Sequence, residues 1–348
     1  MSRVLDPVAA GRETYTVSRT ATNQQEDHLM TVRKVCVLGG TGFVGRHLCS
    51  ELSRRKLQIR VLTRRRERRR DLIVIPSLEL VEADVHSVAD LSVQLKGCDA
   101  VVNLVGILNE QRRPGQDFAS VHGELPAKVA EACRYNRIGR LLHMSALGAG
   151  SDAPSDYLKY KAEGEKAAHL WADQGLHTTS FRPSVMFGPD DSFFNRFATL
   201  LAMSPIVFPL ACPDATMAPV YVEDVARVFA DSLTRKNTYD QHYDLCGPNQ
   251  YSLRELVEYT ARVAGLKPTI VPLGDTLSRL QARILEWVPG KPFSRDNYLS
   301  LQANGTCEEN GFEAFGFKPT SLECIVPSYI GGKGKLDTYQ DFRRTAGR

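Results

Sequence analysis

The sequence predicts an α/β fold, a doubly wound parallel sheet with a smaller C-terminal lobe, on the strength of three observations. From Arg33 to about residue 188, short β-rich apolar runs alternate with longer helical stretches. These runs lack polar alternation, which is typical of strands buried on both faces of a parallel sheet. A glycine-rich turn follows the first run and opens the first helix. Right-handed crossovers between such units place helices on both faces of the sheet.

The elements are expected in strict alternation. The predicted strands are KVCVLG, QIRVLT and the apolar runs at 78–84, 99–106, 140–146 and 177–188. The predicted helices fill the intervals at 46–56, 88–96, 117–135 and 156–174. Beyond residue 187 prolines cluster and the alternation weakens, although 222–233 and 252–265 have the period of amphipathic helices. We therefore predict a nucleotide-binding domain at 32–187 and a substrate or partner lobe at 188–348 with a flexible tail.

Residues 1–31 are polar and have neither a periodic apolar face nor the apolar core of a secretory signal. Three arginines with several Ser and Thr faintly suggest an organelle transit peptide, but four acidic residues argue against it. We expect a disordered or non-native extension, with Met30 as an alternative start.

Composition excludes several classes of protein. The net charge of +4 among 348 residues is too small to indicate a nucleic-acid partner. No apolar run approaches the roughly 18 residues of a membrane-spanning helix. None of the eight cysteines forms a C-x-x-C pair, so we expect no metal site and no disulfide framework, but reduced, buried thiols.

The turn VCVLGGTGFVGR has the spacing of a dinucleotide-binding loop. Its glycines would allow the tight turn, the approach of the backbone to a pyrophosphate and close helix–strand packing. The helix that follows would present free N–H groups to the phosphates. The residues expected at the cofactor are Gly39, Thr41, Gly42, Phe43, Val44 and Gly45.

The second strand favours NADP(H) over NAD(H). An NAD site usually places an acid at this strand end to bind the ribose 2′-hydroxyl. Here Thr63 is followed by Arg64 and Arg65, and a guanidinium can pair with a 2′-phosphate in forked geometry. The alternative is a solvated basic loop. Asp84 and Val85, after the third strand, are expected near the adenine.

These features resemble the extended or atypical short-chain dehydrogenase/reductase superfamily, whose signature is a Ser followed by Tyr-x-x-x-Lys. Ser145, Tyr157 and Lys161 match it, and the last two share one helix face. In that chemistry the lysine lowers the pKa of the tyrosine, which exchanges a proton with a carbonyl or alcohol while the serine holds the oxygen. Alternatively, Tyr157 and Lys161 only hold the cofactor ribose. The resemblance also places the following residues in the cofactor cleft: Asn103, Gly106, Pro183 and Ser184.

The segments VRKVCVLGGTGFVGRHL, HMSALGA, YLKYKAEGEKA, FRPSVMFGP and FGFKPTSLECIVPSYI together resemble a narrower group. This group is the nucleotide-binding accessory subunit of respiratory complex I and its bacterial relatives. The resemblance implies tight NADPH binding, a structural or assembly role near the quinone site, and a quinone, lipid or sugar-nucleotide ligand. It implies the cytoplasm of a bacterium, at the periphery of the inner membrane, or the mitochondrial matrix of a eukaryote.

Two further functions stay open on sequence alone. The first is an active NAD(P)-dependent oxidoreductase or sugar-nucleotide epimerase that uses the Ser-Tyr-Lys set. The second is a redox sensor that responds to NADPH occupancy. The segment 276–288 has the spacing of a basic amphipathic helix, which would lie on a membrane surface or a partner, or pack on the core of its own lobe.

Overall fold

The computed structural model describes residues 32–68, 70–111, 114–288 and 291–330. The predictions for residues 1–31 and for the tail beyond 330 lie outside these residues.

A seven-stranded parallel sheet organises the chain, with the order β3-β2-β1-β4-β5-β6-β11. Its strands are β1 Lys34–Leu38, β2 Gln58–Thr63, β3 Leu78–Glu82, β4 Ala100–Asn103, β5 Arg140–Met144, β6 His177–Pro183 and β11 His242–Leu245. The strand order reverses direction between β1 and β4, and ligands of such sheets bind beyond the carboxyl ends of the strands at this point. The predicted doubly wound fold is confirmed.

Helices cover both faces of the sheet. They are α1 Phe43–Arg54, α2 Val88–Gln94, α3 Leu125–Tyr135, α4 Asp156–Ala168, α5 Phe194–Met203, α6 Val222–Ser232, α7 Leu253–Val263, α8 Asp275–Leu285, α9 Arg295–Ser300, α10 Phe312–Phe315 and α11 Leu322–Ile325. One apolar cluster joins the sheet to α1 and α6, and a second joins its other face to α2 and α3. The central strands β1, β4 and β5 are therefore buried from both sides, which explains their apolar runs, whereas the edge strands β3 and β11 are partly exposed.

Two predicted helices differ in detail from the structure. The one expected at 117–135 begins as a π-helical turn, Ala119–Glu124, and becomes α-helical at Leu125. Pro126 lies in the first turn of α3 and has no N–H to donate to the preceding π-helical turn. The helix expected at 156–174 ends at Ala168, and a short 3₁₀ turn follows at Ala172–Gln174.

Three small strand pairs complete the C-terminal half. They pair β7 Met186–Phe187 with β10 Val220–Tyr221, β9 Thr216–Met217 with β12 Tyr251–Ser252, and β8 Val207–Leu210 with β13 Thr269–Pro272. A third apolar cluster packs α5 and α7 with α11. The C-terminal half also contributes β11 to the main sheet, beside β6.

Helix α8 does not pack as an amphipathic helix on its own core. Its buried side chains are the small Ser278 and Ala282, whereas Leu280, Ile284 and Trp287 are exposed. The expectation that the apolar face of segment 276–288 packs inward is therefore wrong. No helix in the part of the chain that the structure describes is both long and apolar enough to cross a bilayer.

The cysteine prediction needs one correction. Four thiols are buried and reduced as expected, but Cys246 and Cys307 form a disulfide across 61 residues. Asn310 brings the two segments together, because its side chain bonds both the N–H and the carbonyl of Cys246. The spacing of the cysteines in the sequence does not indicate this pair, because Cys246 and Cys307 meet only where the chain returns to the end of β11.

Candidate functional site

The glycine turn between β1 and α1 is built on close backbone contacts. Gly39 has φ +76°, and a Cβ there would lie 2.8 Å from the Leu104 carbonyl carbon. A Cβ on Gly45 would lie 2.4 Å from the Gly39 oxygen. Only glycine fits either position, so the turn lies tightly against the end of β4 and against the first turn of α1.

The N-terminus of α1 is open to an anion. Its N-cap is Gly42, which has no side chain to bond the first N–H groups, and the first turn contains no acidic residue. Thr41 and Phe43 flank this cap and are half-buried, and Val44 is buried in the sheet core. Free N–H groups and the positive end of the helix dipole therefore meet at the carboxyl edge of β1.

The predicted adenine side lies at the ends of β2 and β3. Thr63 is buried, and its hydroxyl accepts a hydrogen bond from the Arg65 N–H at 3.4 Å. The side chains of Arg64 and Arg65 are exposed. Asp84 is exposed with a carboxylate that accepts the His86 N–H, and Val85 is buried behind it. This edge therefore presents the exposed side chains of Arg64 and Arg65, the carboxylate of Asp84 and the carboxylate of Glu82, which accepts the Arg66 N–H.

The structure brings the end of β4 together with α4. The Asn103 side chain is buried, and its oxygen accepts the Val105 N–H. A Cβ on Gly106 would lie 3.8 Å from the Lys161 ammonium. The glycine turn, the end of β4 and Lys161 thus form one continuous surface. The residues present on this surface fit a bound dinucleotide.

Tyr157 and Lys161 lie on the same face of α4. The Lys161 ammonium is 6.0 Å from the centre of the Tyr157 ring and donates to the Met144 carbonyl at 2.9 Å. The Tyr157 ring packs edge-on against His122 and Phe118. Sequence reasoning missed both aromatic neighbours, because the π-helical turn that places them has no simple sequence signature.

Burial changes the protonation of this cluster. It lowers the pKa of Lys161 to about 8, and burial together with the Asp296 charge raises the pKa of Tyr157 to about 12. Burial and the Lys161 charge lower the pKa of His122 to about 3 and hold that of His143 well below its usual value. Both histidines are therefore neutral, and Lys161 is the cation of the cluster.

Ser145 directly follows β5 and lies near Glu165 of α4. Its hydroxyl is buried and makes no hydrogen bond of normal geometry, although it is close enough to help lower the pKa of Glu165. Glu165 itself is held by a bidentate pair with Arg182. The neighbouring residue, Ala146, belongs to the small apolar cluster that Tyr157 packs against. The structure thus brings Tyr157 and Lys161 together and directs Ser145 towards Glu165.

The C-terminal half closes over this region. Pro183 ends β6, and the buried Ser184 hydroxyl donates to the Gly305 carbonyl at 2.8 Å. Asp296 accepts the N–H groups of Asp156 and Tyr157 and so caps the start of α4 from 140 residues away. Sequence reasoning missed Asp296, because nothing local relates it to Tyr157.

A cleft of about 550 Å³ lies beside the cluster of Tyr157. It shares Ala303 with that cluster, and its other walls come from the ends of β8 and β13, from α8 and from the turn after α9. Asp214, Thr216, Asp275 and Gln302 make the lining polar. The cleft could hold a small molecule next to the carboxyl edge of the sheet.

A sequence profile decides the family. The profile of the NAD dependent epimerase/dehydratase family matches residues 35–246, more than half of the chain. The chain belongs to this family. As an epimerase/dehydratase member it carries the family's nucleotide-binding fold from the glycine turn to the strand that completes the sheet.

Curated relatives include a mitochondrial NADH dehydrogenase subunit and a bacterial reductase. NADH dehydrogenase [ubiquinone] 1 alpha subcomplex subunit 9, mitochondrial, of Rattus norvegicus is 26% identical over 294 residues, covering 82% of this chain and 77% of that protein. A ceramide reductase of Caulobacter vibrioides is 29% identical over 245 residues, covering 69% and 74%. The predicted resemblance to the complex I subunit and bacterial relatives is confirmed.

Solved structures show the same fold at low identity. An Escherichia coli NADPH-dependent quinone oxidoreductase complexed with NADPH matches with a TM-score of 0.65 and 17% identity, covering 83% of this chain and 96% of that one. MoeE5 in complex with UDP-glucose and NAD matches with a TM-score of 0.64 and 20% identity, covering 89% and 99%. Members of this fold therefore occur with either nicotinamide cofactor.

Proposed function

We propose that this epimerase/dehydratase member holds NADP(H) as a structural or assembly component of a respiratory-complex-type assembly, and that it does not turn over a substrate rapidly. The observation that carries the proposal is the side-chain arrangement around Tyr157. Lys161 lies where it can bond a ribose next to the glycine cradle, whereas the Tyr157 ring packs against His122 and Phe118 and burial raises its pKa to about 12. The position of Lys161 supports a role in binding the cofactor, and a tyrosine that keeps its proton at neutral pH supports a site without rapid turnover.

The NADP(H) preference rests on the two exposed arginines after β2. Arg64 and Arg65 extend from the strand end at which an NAD site would place an acid. Forked pairing with a 2′-phosphate is worth about 1.5–3 kcal/mol for each charged hydrogen-bonding group. The residues proposed to hold the rest of the cofactor are those predicted from the sequence, from Gly39 to Ser184.

The double variant Arg64→Ala/Arg65→Ala is expected to weaken NADPH binding by about tenfold or more and NADH binding by less than about threefold. The reason is that only NADPH carries the phosphate that the guanidinium groups would bind. Calorimetric titration of both nucleotides measures the ratio. Arg254→Ala is the matched control, since Arg254 is an exposed arginine paired with Glu258 on α7. Equal losses for the two nucleotides would contradict the 2′-phosphate assignment.

The proposed partners follow from the relatives. The named complex I subunits suggest a respiratory assembly, at the cytoplasmic side of a bacterial inner membrane or in a mitochondrial matrix. The cleft beside Tyr157 would take a quinone, a lipid or a sugar nucleotide.

Native mass spectrometry of the protein from its own membranes would report bound nucleotide and companion subunits together. Purification as a nucleotide-free monomer would contradict the proposal.

A second candidate is an active oxidoreductase or epimerase, and the Tyr157–Lys161 pair favours it. The cofactor would supply hydride chemistry, and Tyr157 would exchange a proton with a substrate oxygen. A third candidate role is that of a sensor of NADPH occupancy.

If the chain is a cofactor carrier, Tyr157→Phe is expected to leave NADPH affinity within about threefold of wild type and stability within about 1 kcal/mol, since only a hydroxyl is removed. Titration and thermal melts measure both quantities. NADPH oxidation with a quinone, a lipid ketone or a sugar nucleotide provides the functional assay. Oxidation that depends on the substrate and disappears in Tyr157→Phe would reject the carrier role in favour of the enzyme.

A further inference from the structure

Helix α8 and the turn after it direct their large apolar side chains towards solvent. We call Leu277, Leu280, Ile284, Trp287 and Val288 the outer face of α8; their exposed fractions run from 41% to 79%. At 100° per residue these five positions fall within about 100° of the helix circumference. The opposite side packs through Ser278 and Ala282, so the helix lies close against its lobe.

The apolar surface extends beyond the helix. Sixteen large apolar residues are exposed in the part of the chain that the structure describes, and nine of them lie on the outer face of α8 or on neighbouring strands and turns. The other four are Met203, Ile206, Val207 and Val271. The Gln281 side chain of α8 donates to the Pro209 carbonyl of β8, which pairs with β13. A patch so concentrated indicates a binding surface.

Basic residues border the outer face along one side. Arg279 and Arg283 follow each other at helical spacing next to Leu280 and Trp287, and both are exposed. Arg279 is held in place by Asp275 and by the Tyr298 hydroxyl. Because Asp275 offsets the charge of Arg279, Arg283 is the arginine that would face an anionic surface. Apolar side chains, a flanking arginine and an exposed tryptophan at one end are features of helices that lie in a bilayer interface.

We propose that the outer face of α8 docks on the surface of a lipid bilayer that contains anionic lipids. The helix would lie parallel to the surface, with Leu280, Ile284 and Trp287 among the acyl chains and Arg283 at the headgroup phosphates. The exposure of these side chains favours a bilayer over a peptide ligand, since they project outward and do not line a groove. No described helix can span the membrane, so the contact is peripheral.

Docking in this orientation would bring the cleft beside Tyr157 close to the bilayer. Gly274, Asp275 and Ser278 line that cleft from the inner side and the N-terminus of α8, while the outer face would touch lipid. One helix would then separate the acyl chains from the cleft. An amphiphilic ligand could reach the cleft without crossing bulk water.

The test uses the full chain and vesicles of phosphatidylcholine with phosphatidylglycerol, compared with phosphatidylcholine alone. Trp171→Phe leaves Trp287 as the sole tryptophan, since the chain has two. We expect a blue shift of its emission on vesicle addition and quenching by brominated acyl chains. Leu280→Gln/Ile284→Gln should reduce vesicle partitioning by about tenfold or more. Arg283→Gln should reduce it only on the anionic vesicles.

The matched control is Val93→Gln, an apolar residue of α2 that is 67% exposed and far along the chain from the patch. It should partition like wild type, and all variants should keep their NADPH affinity, so that failure of docking is distinct from failure of the cofactor site. Absence of partitioning, or partitioning unaffected by Leu280→Gln/Ile284→Gln, overturns the proposal. So does a wild-type dimer that this double variant converts to a monomer without any binding to vesicles.

Discussion

Gly164→Ala is expected to destabilise the chain by about 3 kcal/mol or more, the upper end of what overpacking costs. A Cβ at this position of α4 would lie 1.8 Å from the His122 carbonyl oxygen and 2.8 Å from the Pro126 ring. The obstacle is backbone, which cannot move aside as a flexible side chain would. Helix α4 would have to shift away from the π-helical turn. Urea unfolding followed by circular dichroism measures the loss.

The same shift should weaken cofactor binding, because α4 carries Lys161 one turn before Gly164. Gly150→Ala is the control: its Cβ would meet nothing within 4 Å, and we expect a change of less than about 0.5 kcal/mol. A Gly164→Ala protein with wild-type stability and NADPH affinity would show that α4 and the π-helical turn are not in firm contact.

The sheet could be predicted from the sequence because local signals agree with the global fold there. Strands buried on both faces produce apolar runs such as VCVL, and the structure places β1 at Lys34–Leu38. The glycine turn is equally local, since Gly39, Gly42 and Gly45 act on the backbone within one turn. Such signals need no knowledge of distant residues.

The rest depended on contacts between distant segments. Asp296 caps α4 across 140 residues, and Cys246 pairs with Cys307 only because the chain returns to β11. The Ser145 hydroxyl lies near Glu165, which is 20 residues later on α4. For α8 the periodicity was correct, but period alone cannot tell whether an apolar face meets a core or a surface.

Lys161→Met is expected to stabilise the folded chain while it weakens cofactor binding. Burial lowers the pKa of Lys161 from 10.5 to about 8, which corresponds to a cost of about 3 kcal/mol for keeping the charge at neutral pH. The variant removes that cost but also leaves the Met144 carbonyl without its donor, a loss of about 1 kcal/mol. The net gain should be about 2 kcal/mol at pH 7 by urea unfolding. NADPH affinity should fall by about tenfold to a hundredfold, as for a lost charged hydrogen bond.

The pH dependence separates this explanation from a general packing effect. Below pH 8 Lys161 is protonated in both the folded and the unfolded chain, so the full penalty applies to wild type. Between about pH 8 and 10.5 the folded chain has released this proton and the unfolded chain still binds it, so wild-type stability rises with pH relative to the variant. The stability advantage of Lys161→Met should therefore shrink from about 2 kcal/mol at pH 7 to about zero near pH 10.

A stability gain that is constant across this pH range would mean that better packing stabilises the variant. A loss of stability at pH 7 with NADPH affinity retained would mean that the ammonium serves the fold and not the cofactor. The expected result, a buried cation that costs stability and is needed to bind NADPH, is what a site that holds its cofactor requires.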